Sequence, residues 1–313
     1  MHPLLDRIER QLGLPGLVDR LSEHLTPTDM QSLLLETYRR RAGRRRPAEV
    51  LAEYEANRFV RPAAVSARRL LAWEQLAFAH LPPEFEPVVL APVCPLGASS
   101  AVAGVDQNWA VATARNTEVV SDSTNVLALE CAVRRRALLR AQPKSAEAVH
   151  LAAHHRLLRA QHYHDPRALP HFSALALCSA GRDGGGLRFE LVALARHIRF
   201  YLQALGAFLG QGVPLHVSLT DLSAARAALL QEQLFAPLQA QFPDASFAFD
   251  PERASGRGYY RAVCFHIQVT HPSAGRLQLV DGGSVDWTQK LLGSAKERLI
   301  ISGLGSDRLC SAF

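Results

Sequence analysis

Near the C-terminus, glycine and tyrosine fall in an order that few folds can use. Gly256-Arg257-Gly258-Tyr259-Tyr260 leads into an apolar run over residues 262–269. A second run, residues 275–280, ends at Asp281-Gly282-Gly283. A third, residues 298–302, passes into Gly303-Leu304-Gly305-Ser306-Asp307-Arg308-Leu309. Short apolar runs bounded by such turns read as strands. Two of them lay a backbone floor, the glycines let a flat ligand approach it, and Arg308 supplies a fixed cation.

The rest of the chain bounds what can be built around that floor. Its 313 residues suffice for one large domain or two ordinary ones, and a 48% hydrophobic content excludes global disorder. Charges interrupt every apolar segment, so no membrane span is expected. Met1-His2-Pro3-Leu4-Leu5-Asp6 lacks a signal-peptide pattern, and a cytoplasmic protein is expected. Cys94, Cys131, Cys178, Cys264 and Cys310 are scattered and form no metal-type spacing, so reduced thiols and no zinc site are expected. The net charge of +6 fits an anionic partner without identifying one.

Residues 1–81 read as a helical N-terminal extension. Leu4, Leu5, Ile8 and Leu12 recur at helix spacing, and Thr26-Pro27-Thr28-Asp29 is a helix start. That helix ends in an arginine run from Arg39 to Arg46. The run has two readings: contact with phosphate, RNA included, or a solvated helix end. No aromatic residue is interleaved for base stacking. Pro82-Pro83 marks a boundary, after which residues 84–313 change character. Residues 85–92 and 109–114 read as strands, and the second leads into Arg115-Asn116-Thr117-Glu118. Ser123-Thr124-Asn125 then starts a helix. Residues 172–179 read as a strand, 187–195 as a strand or helix, 199–209 as a helix and 215–219 as a strand. His154, His155, His162, His164 and Asp165 read as exposed histidines around a helix end, or as a metal patch if the segment is extended.

The C-terminal segments resemble the histidyl branch of the class II aminoacyl-tRNA synthetases. That branch has an Arg-Gly-x-x-Tyr-Tyr segment, a Gly-Gly-Gly-Arg-Tyr-Asp segment and a closing motif 3 ending in Glu-Arg-Leu. Ser306-Asp307-Arg308-Leu309 looks like that ending, with Asp for Glu. The family's Leu-Arg-Pro-Glu-x-Thr segment suggests Arg115, Glu118 and Thr124 as counterparts. Its motif 2 carries Phe-Arg-x-Glu on the first strand of a hairpin. One alignment puts this at Leu177-Cys178-Ser179-Ala180, where the arginine is missing and Arg182, Arg188 or Arg196 would have to substitute. Another puts it at Arg115-Asn116-Thr117-Glu118.

The resemblance implies an α+β fold, a class II synthetase-like antiparallel sheet flanked by helices. It implies binding of ATP, with Mg, and of an amino acid. An adenylate-forming ligase acting on a non-standard acceptor would follow, or else a regulatory paralogue like the regulatory subunit of ATP phosphoribosyltransferase. Arg115, Arg257 and Arg308 would be catalytic. Glu118, Thr124, Tyr259, Tyr260, Gly282 and Gly283 would bind substrate, with no metal-ligating residue singled out. A homodimer, a partner protein and RNA are the implied macromolecular partners.

Overall fold

Both faces of the C-terminal strands are buried, and that sets the architecture. In the strand Glu297–Gly305, Ile300 and Leu304 join one apolar cluster while Leu299 and Ile301 join another. A sheet with two apolar faces needs helices on both. A computed structural model describes residues 3–161, 169–210, 212–271, 273 and 275–313. Its strands are β1 Glu86–Pro87, β2 Val93–Pro95, β3 Thr117–Val119, β4 Val149–Leu158, β5 His171–Arg182, β6 Leu215–Asp221, β7 Ser246–Phe249, β8 Val263–His271, β9 Gly275–Val285 and β10 Glu297–Gly305. Eight of these form one sheet in the order β1-β4-β5-β10-β9-β8-β6-β7, and β2 pairs with β3 apart from it. The end pairs β1–β4 and β6–β7 are parallel, and the central pairs are antiparallel. The result is the expected α+β fold, a large and mostly antiparallel sheet flanked by helices.

The helices are α1 Pro3–Leu12, α2 Leu17–Asp19, α3 Pro27–Ala42, α4 Pro47–Ala56, α5 Ala67–Ala79, α6 Ser123–Ala141, α7 Arg188–Leu209, α8 Ala227–Leu230, α9 Ala236–Gln241, α10 Trp287–Leu292 and α11 Ser306–Ala312. On one face of the sheet, α6 buries Leu127, Ala128 and Cys131 with Ala176, Cys178 and Ile301. On the other lies α7, whose Leu191, Leu194, Ile198, Leu202 and Leu205 recur at helix spacing. That periodicity resolves residues 187–195, open between strand and helix, in favour of helix. Helices α3 and α4 bury no residue, whereas α5 sends Trp73 and Ala77 into the core shared with α7. Among the described residues no helix is long and apolar enough to cross a membrane. All five cysteines are free and buried.

Two sequence readings change here. The run 149–158 is strand β4, so His154 and His155 lie in the sheet and not around a helix end. Alternation explains this: His150, Ala152 and His154 share one face, and histidine stood where apolar residues were sought. His162, His164 and Asp165 lie outside the described residues. Second, β9 does not end at the glycine pair but runs through it to Val285. A Cβ on Gly282 would lie 2.6 Å from both the Phe265 ring and the Ser302 Cβ, and one on Gly283 would lie 2.7 Å from the Tyr260 ring. The pair therefore admits neighbouring side chains rather than a ligand.

Two buried polar features hold the layers. The first is the ion pair of Arg135 in α6 with Glu297 in β10, both fully buried. Arg135 Nε donates to Glu297 Oε2 at 2.9 Å and Nη2 to Oε1 at 3.0 Å. The guanidinium also donates to the carbonyls of Ser145 and Glu147. Breaking such a pair strands a buried charge. Glu297→Gln should lose about 3–5 kcal/mol of unfolding free energy in urea titration, and Arg135→Met with Glu297→Leu should recover much of it.

The second is a chain of side chains beneath α7. His150 Nδ1 meets Ser179 Oγ at 2.7 Å, Ser179 Oγ meets His197 Nε2 at 2.9 Å, and His197 Nδ1 meets Ser302 Oγ at 2.7 Å. Burial pushes the His150 imidazolium down to about 4 and His197 to about 3, from an ordinary 6.5. The unfolded chain takes up these protons near pH 6.5, while the folded chain resists them until far lower. Stability should therefore be full above pH 6.5 and fall as pH drops toward 4. Urea midpoints measured across that window should show the decline, and a slope that stays unchanged in His197→Asn would contradict the assignment.

Candidate functional site

The first turn of α6 begins one wall. Asp122 caps the helix: Oδ1 accepts from the Thr124 amide at 2.9 Å and from the Thr124 hydroxyl at 2.8 Å. Asp122 is thereby fixed at the rim of a cleft of about 1420 Å³, which Thr124 also lines. The hairpin of β4 and β5 brings Arg159 to the same place. Its Nη2 meets Asp122 Oδ2 at 3.1 Å, its Nε donates to the Ser121 carbonyl at 2.9 Å, and its guanidinium lies 5.3 Å from the centre of the Phe172 ring.

The tyrosine pair forms the opposite wall. Tyr259 packs edge-on against Tyr260 at 5.0 Å and Trp287 at 5.5 Å. Burial holds both phenols well above their ordinary range, so they are neutral hydrogen-bonding groups. Behind them the nearly buried Arg253 donates from Nη2 to Asp281 Oδ1 at 2.8 Å and lies 5.4 Å from the Tyr260 ring centre.

The turn from β10 into α11 supplies the third side. Asp307 is buried, with Oδ1 accepting from the Ser173 amide and Oδ2 from Arg156, each at 2.9 Å. Ser306 Oγ accepts from Trp73 Nε1 at 3.0 Å and lies 3.0 Å from His154 Nε2, whose Nδ1 is 3.3 Å from Glu74. With Ser306 and Asp307 fixed, Arg308 is directed into the cleft. It is exposed and donates to the Gln278 carbonyl at 3.2 Å.

Of the residues expected from sequence, Thr124, Tyr259, Tyr260 and Arg308 meet at this cleft, whereas Arg115, Glu118, Arg257, Gly282 and Gly283 do not line it. Arg115 is exposed in a turn. Arg257 turns back onto the carbonyls of Arg253 and Pro251. Glu118 is fully buried and accepts from the amides of Gly97 and Ser99 and from Gln107, at 2.7–2.9 Å. Burial opposes its ionisation, but those hydrogen bonds outweigh the opposition and hold it below the usual carboxylate range. It organises the 97–107 loop instead of meeting a ligand.

Sequence reasoning missed Asp122, Arg159, Arg253 and Asp281. Both motif 2 alignments also change. Arg115 to Glu118 enters the small β2–β3 sheet, and β5 is followed by a helix and not a return strand. β4 and β5 do pair as an antiparallel hairpin, and Leu158-Arg159-Ala160-Gln161 stands at the end of its first strand. An apolar-Arg-x-Gln pattern was therefore legible, once β4 was read as a strand and Gln allowed for Glu. Among the described residues no three His, Cys, Asp or Glu side chains cluster, and both Asp307 oxygens are engaged by Ser173 and Arg156.

No family model matches the sequence, and a search of curated proteins finds no match. Solved structures do match. Apo histidyl-tRNA synthetase from S. aureus aligns with TM-score 0.56 at 14% identity, over 78% of this chain and 64% of that one. An ATP phosphoribosyltransferase regulatory subunit/histidyl-tRNA synthetase from Bacillus halodurans C aligns with TM-score 0.59 at 12% identity, over 81% and 82%. The chain thus has a class II synthetase-like core, as its sequence resemblance implied, and spans less than two thirds of the S. aureus enzyme.

Glu118→Gln would aim an amide NH₂ or a neutral oxygen at donors arranged for a carboxylate. It should cost about 1.5–3 kcal/mol of stability by urea titration and leave ligand affinity at the cleft unchanged.

Proposed function

We propose that this cleft binds an amino acid and ATP side by side, and that the chain joins them as an aminoacyl adenylate for a non-standard acceptor. The observation that carries the reading is the placement of Arg159 and Arg308 around one cleft with Asp122, Thr124 and Tyr259. Carboxylate, hydroxyl and phenol suit the ammonium of an amino acid. The two guanidiniums suit phosphate oxygens, Arg159 the α-phosphate and Arg308 the distal ones. Phe172 offers an aromatic face beside Arg159.

In the proposed step a carboxylate oxygen of the amino acid bonds to the α-phosphorus, and the bond from that phosphorus to the pyrophosphate oxygen breaks. Charge builds on the oxygens in line with Arg159, which is already oriented by Asp122 and the Ser121 carbonyl. A preoriented cation stabilises that charge without reorganising. No step is assigned to a metal.

A second reading, a non-catalytic regulatory paralogue, draws on two observations. Arg257 is engaged with backbone carbonyls, and Asp307 is fully buried with its oxygens paired to Arg156 and the Ser173 amide. The arginine run adds little to an RNA reading, because Arg39 and Arg40 share Glu36 and Arg46 pairs with Glu49.

ATP–pyrophosphate exchange, run with each amino acid singly, separates the two main readings. Exchange with one amino acid is the expected result. Silence with all of them, in protein that still binds ATP by calorimetry, would transfer the case to the regulatory reading. Arg308→Ala should weaken ATP at least about tenfold, as loss of one charged hydrogen bond implies, with its melting temperature unchanged. Undiminished ATP affinity in that variant would remove Arg308 from the site.

A further inference from the structure

The floor of the cleft has a feature that neither the resemblance nor the proposed chemistry uses. Strand pairing lines up Ala153, Ala176, Gly303, Asp281 and His266 in one row across β4, β5, β10, β9 and β8. Residues in such a row share a face of the sheet. Ala153 and Ala176 belong to the apolar cluster on the α6 side, together with Tyr260. Three successive positions of the row therefore carry at most a methyl group, and the fourth carries a carboxylate. At about 4.8 Å per strand, Ala176 and Asp281 stand roughly 10 Å apart.

The space over this shelf is open. A Cβ built on Gly303 meets nothing nearer than the Leu175 carbonyl oxygen at 3.9 Å, whereas one on Gly282 or Gly283 collides at once. Ala176, Gly303 and Asp281 all line the cleft. Asp281 is 42% exposed, although its Oδ1 pairs with the nearly buried Arg253 at 2.8 Å and lies 3.5 Å from His266 Nε2. A carboxylate offers about four acceptor positions, so these partners orient it and leave capacity toward the cleft. Tyr259, Asp122 and Asp281 line the same cleft, which places the shelf with the proposed ammonium site.

We infer that Ala176, Gly303 and Asp281 form the side-chain subsite of the cleft, taking an amino acid whose apolar stem lies on the shelf and whose end donates a hydrogen bond to Asp281. The inference rests on the amino-acid reading above. A donor-ended side chain satisfies the carboxylate, whereas an apolar isostere of the same length leaves it desolvated without a partner.

Calorimetry on the full chain, with the twenty amino acids and norleucine, tests this. Lysine against norleucine, tyrosine against phenylalanine and glutamine against methionine are the informative pairs. At least one donor-ended member should bind about tenfold or more tighter than its apolar counterpart, the loss expected for one hydrogen bond to a charged group. Asp281→Asn should largely erase that preference. Because the variant leaves Arg253 without its ion-pair partner, Gly303→Val serves as the fold-tolerant control. It fills open space on a strand, and should weaken the preferred amino acid about tenfold or more while glycine and ATP bind as before. Equal affinities within every pair, or a preference that survives both substitutions, would overturn the subsite and leave the amino-acid reading intact. If no amino acid binds, glycine included, while ATP still does, the amino-acid reading itself falls and takes the subsite with it.

Discussion

The buried pair of Arg135 and Glu297 decides where everything else lies. Helix α6 crosses the sheet, and this pair fixes its far half to the first residue of β10. With two hydrogen bonds between the side chains and two more to carbonyls, the guanidinium permits one register of helix on strand. A purely apolar contact would let α6 slide by a fraction of a turn. Two ends of the cleft follow from that register. The start of α6 carries Asp122 and Thr124, and the end of β10 delivers Ser306, Asp307 and Arg308. Charges in the core are thus retained for position as much as for stability, since a buried pair contributes little net free energy over apolar substitutes.

The turn from β10 into α11 is fixed a second time, by side chains of α5 and β4. Trp73 and Glu74 of α5 reach Ser306 and His154, and Arg156 of β4 reaches Asp307. Side chains from an N-terminal helix, a central strand and a C-terminal helix therefore converge around one turn. Arg308 is left exposed on a buried base, held by the Gln278 carbonyl. Helix α5 consequently acts as part of the core, although it lies within the stretch whose other helices bury almost nothing.

The sequence made the C-terminal strands legible because their apolar runs, glycines and turns agree at every level. The tyrosine pair and Arg308 could be placed for the same reason. What escaped was the end of the β4–β5 hairpin. Three histidines in β4 broke the apolar pattern, although two of them are buried through hydrogen bonds to Ser179 and Ser306. Losing β4 meant losing Arg159, and the polar run Arg115 to Glu118 was then given its role. Glu118 shows why residue type alone misleads: a carboxylate after an apolar strand can face a substrate or fold a loop, and only its three donors tell which. Arg253 and Arg257 differ likewise. Both lie near the tyrosines, and tertiary packing sends the first behind Tyr260 and the second away.

Glycine carries two opposite meanings within the same sheet. Gly282 and Gly283 are filled sites, where Phe265, Ser302 and Tyr260 occupy the room a side chain would need. Gly303, one strand over, is an empty site, with nothing but cleft above it. Gly283 lets the Tyr260 ring lie against β9, where it covers the Arg253 guanidinium. Gly303 leaves the neighbouring ground clear. A rigid aromatic wall beside a bare shelf is how a sheet, whose side chains normally carpet both faces, makes room for a ligand. The charge at the end of that shelf then decides which ligand the room is for.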